Sequence, residues 1–202
     1  MIKNTTQLFL AQIEMPLSLK ELDPDTANEI TRQLLNRLEN NSGKFPFLIR
    51  PKLTRTNSLL LGAYTVHEQN YVYEKDKSLK EKIELVINGK DEASFIFPIN
   101  SQQKFYAFKC SEFSYDLLDY LHDKTLAQTF VIYIQEQDVM FVFEEDSAFC
   151  TASYPNIESF ESDLGKLAEY RSIFSNNISD WKITTLREEV DFLNEVQSYF
   201  EP

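Results

Sequence analysis

Apolar positions along this chain change their period several times, and each period predicts an element. From Ala27 the apolar residues Ala27, Ile30, Leu34 and Leu38 recur at three and four residues, the spacing of one helical face. Asp23-Pro24 stands before them as a cap followed by a first-turn proline, and Asn41 to Gly43 is a stop signal. The pattern therefore predicts a helix over 24–40. A second helix is expected over 111–123, capped by Ser111 and burying Phe113, Leu117, Leu118 and Leu121. A third should start at a capping Asn156 and bury Ile157, Phe160, Leu164 and Leu167, weakened by Gly165. Thr185 and Glu188 have capping-box spacing for a fourth over 185–200, with Leu186, Val190, Leu193 and Phe200 on its apolar face.

Between these lie short runs of β-branched and aromatic residues. Ile83–Ile87 and Ser94–Ile99 lie on either side of Asn88-Gly89, a strong local hairpin signal. Phe130–Ile134 and Val139–Phe143 flank the four-residue loop Gln135–Asp138. This second pair is apolar on consecutive residues, so it should be a central hairpin covered on both faces. Further strands are expected at Leu8–Glu14, Phe47–Arg50, Leu59–Val66, Tyr71–Glu74, Phe105–Lys109 and Ala148–Ser153. Strands follow one another through hairpin-sized loops and do not alternate with helices. That order predicts an α+β fold: a mostly antiparallel or mixed β-sheet of six or more strands packed with three to four amphipathic helices. Linker candidates are short and no repeat is present, so residues 1–202 read as a single globular domain. The expected core includes Leu34, Leu117, Leu121, Ile132, Phe141, Phe143, Val190 and Leu193.

Composition narrows the setting. The 202 residues are 43% hydrophobic with 16 Phe and 10 Tyr, ample for a packed core. The longest early apolar run, Leu8–Ala11, is too short for a signal peptide, and no run approaches the roughly 20 residues of a membrane span. The expectation is a cytoplasmic chain with no membrane contact, whose two cysteines, Cys110 and Cys150, stay reduced.

Candidate chemistry is sparse. Phosphate-binding loops need clustered glycines, and Gly43, Gly62, Gly89 and Gly165 are all far apart. Two cysteines and two histidines are too few and too dispersed for a zinc site. A Cys–His nucleophile would have to bring Cys110 or Cys150 to His67 or His122, whereas buried cysteines are ordinarily inert packing residues. Asp180-Trp181-Lys182, with Asp163 upstream, has the acid-x-lysine spacing of metal-dependent nucleases, a spacing that chance supplies often. The sequence assigns no catalytic residue, no metal ligand and no cofactor.

Charge is the feature that remains. Residues 1–100 hold 13 acidic and 13 basic side chains, and residues 101–202 hold 19 acidic and 7 basic. The whole net charge of −12 thus sits in the second half. Glu112, Asp116, Asp119 and Asp123 are spaced to fall within about 60° on the predicted second helix, opposite Leu117 and Leu121. Glu136 and Asp138 share one loop, and Glu144, Glu145 and Asp146 lie at the other end of the same hairpin.

A solvated face accounts for any one such cluster, since three like-charge neighbours at roughly 0.2–0.5 kcal/mol each are small beside a stability of about 5–15 kcal/mol. The asymmetry between halves points further. A surface of one sign attracts the opposite sign and repels nucleic acid and anionic membrane. The basic stretch Lys44, Arg50, Lys52 and Arg55 is small, so no direct nucleic-acid binding is expected. The sequence reads best as a non-enzymatic, acidic protein-binding module that masks a basic partner protein, as an immunity or antitoxin-type inhibitor or a nucleic-acid mimic does. A metal-dependent phosphodiesterase or nuclease-like enzyme using Asp163, Asp180 and Lys182 is the alternative.

Overall fold

The computed structural model describes residues 14–35, 38–40, 49–51, 58–63, 77–89, 94–100, 106–144 and 149–170, with single positions at 172, 175 and 194. In chain order the elements are β1 (Leu19–Glu21), α1 (Pro24–Leu35), β2 (Leu38–Asn40), β3 (Ile49–Pro51), β4 (Ser58–Ala63), α2 (Lys77–Asn88), β5 (Ser94–Asn100), β6 (Phe108–Cys110), α3 (Asp116–Thr125), β7 (Ala127–Ile134), β8 (Val139–Glu144), β9 (Phe149–Ser153) and α4 (Ile157–Leu164). Seven strands form one sheet in the order β1-β6-β5-β7-β8-β9-β4, and β2 pairs with β3 separately. Every neighbouring pair is antiparallel. The chain is α+β, as its pattern predicts.

The β7–β8 hairpin lies inside this sheet, and its two faces explain its unbroken apolar sequence. Phe130, Ile132 and Ile134 on β7, with Val139, Phe141 and Phe143 on β8, join a core containing Ile83, Val86 and Ile87 of α2, Leu117, Leu118 and Leu121 of α3, and Phe160 and Leu164 of α4. Val131, Tyr133, Met140 and Val142 point the other way, into a second core with Ile30 and Leu34 of α1. Among the described elements, α2, α3 and α4 thus cover one face and α1 covers the other. Edge-to-face aromatic contacts run through the first core, with Tyr154 set against both Phe141 and Phe160. Of the expected core residues, Leu34, Leu117, Leu121, Ile132, Phe141 and Phe143 are buried. Val190 and Leu193 lie outside the described residues.

Two helix starts follow their capping residues. The Asp23 carboxylate accepts the N–H groups of Asp25 and Thr26 at 3.2 and 3.0 Å and the Thr26 hydroxyl at 2.8 Å. Asn156 accepts the N–H of Ser159 at 2.8 Å and opens α4. Gly165, at φ 104°, ends α4 in a conformation that few other residues adopt. The break exposes the Leu164 carbonyl, which accepts from Tyr170 Oη at 2.9 Å and from Lys82 Nζ of α2 at 3.3 Å.

Several expectations are corrected. Ile83–Ile87 is not a strand, and Asn88-Gly89 is not a hairpin turn: both belong to the end of α2. Burial shows why, because Ile83, Val86 and Ile87 are buried while Leu85 is 70% exposed. That is a helical period; a strand would have put 83, 85 and 87 on one face. Asn and Gly suit a helix end as well as a tight turn, so the pair does not distinguish the two. The first helix stops at Leu35, and Leu38 stands in β2 opposite Pro51. Leu38 still enters the core of Ile30 and Leu34, which satisfies the apolar repeat without a helix.

Among the strands, Phe47–Arg50, Leu59–Val66, Phe105–Lys109 and Ala148–Ser153 overlap β3, β4, β6 and β9, and residues 47–48, 64–66, 105 and 148 lie outside the described residues. Glu14 is in no strand, and Leu8–Ile13, Tyr71–Glu74 and nearly all of 185–200 lie outside the described residues.

Candidate functional site

The acidic face proposed from sequence centres on α3, whose start is set by backbone hydrogen bonds upstream. Ser111 does not cap it, because its N–H and hydroxyl both go to the Ser18 carbonyl, extending the β1–β6 pairing. Two residues later Phe113 is held by Asn88, whose Oδ1 accepts the Phe113 N–H at 2.6 Å and whose Nδ2 donates to its carbonyl at 2.8 Å. That two-way clasp ties Phe113 to the end of α2. The Leu117 N–H reaches Ser114, and α3 begins at Asp116. Glu112 is therefore outside the helix, a correction to the four-residue stripe.

Asp116, Asp119 and Asp123 remain on α3 and all three are exposed, as is Glu112. Asp116 and Asp119 occupy the first turn, and the N-cap residue Tyr115 provides no side-chain hydrogen bond there. Carboxylates at that end complement the partial positive charge of the helix dipole, typically by about 0.3–1 kcal/mol. These two acids thus have a local structural reason to be acidic. Asp123 has none, for it stands in the last turn, where negative charge opposes the macrodipole. The last turn also carries His122 and Lys124. Lys124 lies over the Phe108 and Tyr120 rings, 5.5 and 5.8 Å from their centroids.

The hairpin acids divide. Asp138 adopts φ 56° in the β7–β8 turn, and its carboxylate accepts the Tyr133 hydroxyl at 3.2 Å, so it shapes the turn. Glu136 is exposed in the same turn. Glu144 is opposite Thr129 at the far end of the hairpin, about 17 Å along the strands at roughly 3.4 Å per residue. Glu145 and Asp146 lie outside the described residues. Glu144 is thus at the opposite end of the hairpin from Glu136 and Asp138, as the sequence order predicts.

Only some of the residues considered for catalysis fall among the described ones. Cys110 is buried, its thiol donates to the Glu112 carbonyl at 3.3 Å, and burial raises its pKa above the ordinary thiol value. A protonated, enclosed thiol is a poor nucleophile. His122 Nδ1 is 2.8 Å from the Ala127 carbonyl, and since a carbonyl only accepts, that nitrogen carries the proton. Asp163 is on α4, whereas His67, Asp180 and Lys182 lie outside the described residues. Among the described residues no three His, Cys, Asp or Glu side chains come together as a metal site, and no helix is long and apolar enough to cross a membrane.

Sequence pattern did not single out Leu126. It follows α3 directly in the left-handed region at φ 54° and is 67% exposed, where glycine is the usual residue. Nor did it single out Lys20 and Lys109, two exposed lysines that face each other across β1 and β6. No family model, no curated protein and no solved structure matches the chain.

Proposed function

We propose that this protein is a single-domain, non-enzymatic binding module that presents an acidic face to a basic partner protein in the cytoplasm. The reading covers an immunity or antitoxin-type inhibitor and a nucleic-acid mimic alike, because each masks a surface built to hold phosphates. One observation carries it: the chain's entire charge excess lies in residues 101–202, and Glu112, Asp116, Asp119 and Asp123 stand exposed at and just before α3. Of these, Glu112 and Asp123 are the acids that helix electrostatics do not call for, so they are the positions on which binding and folding can be separated.

Affinity capture with three baits tests the proposal: the wild type, Glu112→Lys/Asp123→Lys, and Lys52→Glu/Arg55→Glu. The wild type and the Lys52/Arg55 variant should retain the same basic protein, and the Glu112/Asp123 variant should retain much less of it. Equal retention by all three baits would overturn the proposal. Asp123→Lys adds a cation to the last turn of α3, where it favours the helix. Circular dichroism of the double variant should match the wild type, which separates a loss of capture from a loss of fold.

A further inference from the structure

We draw no further inference here: the strongest candidate, the exposed apolar residues Met15, Leu17 and Leu126 near Lys124 at the β1 edge of the sheet, carries nothing because nothing in the structure shows what covers it.

Discussion

Residues 83–99 and residues 129–143 look alike as sequence, since each has two β-rich runs about a short polar turn. In the fold they differ: 129–143 is the β7–β8 hairpin at the centre of the sheet, while 83–99 contains the end of a helix and a separate strand. The difference lies in period and not in composition. In β7 and β8 both alternating sets are apolar, and each set has a core to enter. In α2 the apolar set is 83, 86 and 87, and Leu85 is left facing water. A window of five residues hides that distinction, because Ile, Leu and Val fit either element. The full twelve residues of α2 reveal it.

The largest effect that would test this comparison is Phe141→Ala. Phe141 is fully buried opposite Ile132, and truncation should destabilise by about 3–5 kcal/mol in chemical denaturation. A loss under about 1 kcal/mol would remove the hairpin from the core. The next pair separates helix from strand within α2. Ile83→Ala should destabilise by about 2–5 kcal/mol, and Leu85→Ala should stay within about 0.5 kcal/mol. Similar losses at both positions would restore the strand reading.

Asn88→Ala should be milder, at about 1–3 kcal/mol, since it leaves the part-buried N–H and carbonyl of Phe113 without their amide partner. Asn88→Asp should not restore the clasp, because its second carboxylate oxygen would replace the Nδ2 donor and face the Phe113 carbonyl, acceptor against acceptor. A turn residue at the tip of a hairpin would behave otherwise, with no dependence on the 113 backbone. Amide exchange at Phe113 in the Asn88→Ala variant reads this directly: faster exchange is expected, and unchanged exchange would contradict the clasp.

Local signals were most legible where one residue acts alone on adjacent backbone. Asp23 and Asn156 cap their helices as their neighbours in sequence suggest. Ser111 was misleading for a physical reason: a serine that precedes an apolar repeat is a cap only if its hydroxyl is not bonded elsewhere, and here it is bonded to Ser18, 93 residues away. The helix begins at Asp116, so Glu112 is off it and the acidic stripe is shorter than its spacing suggests. Asp116, Asp119 and Asp123 survived because their spacing and that of Leu117 and Leu121 belong to the same helical turns.

The smallest expected effect concerns the α1 cap. Hydrogen bonds from the Thr26 N–H and hydroxyl hold the Asp23 carboxyl below its ordinary value of 3.8. A carboxylate whose folded pKa is depressed contributes stability above its unfolded pKa and loses it as pH falls through the folded one. The wild type should therefore lose its advantage over Asp23→Ala only as pH drops below about 3.8 toward that lower value. An advantage that already vanished near neutral pH would show that Asp23 does not act as an ionised cap.

The central claim, that the exposed acids at α3 draw in a basic partner, is tested most directly by association rate measured against salt. With the captured partner in stopped flow, Glu112→Lys/Asp123→Lys should associate roughly tenfold more slowly than the wild type at low ionic strength, with a flatter salt dependence. The two should converge as added salt shortens the Debye length to a few ångströms. Indistinguishable rates across the whole series, with both proteins folded, would contradict the claim and leave these acids as a solvated surface.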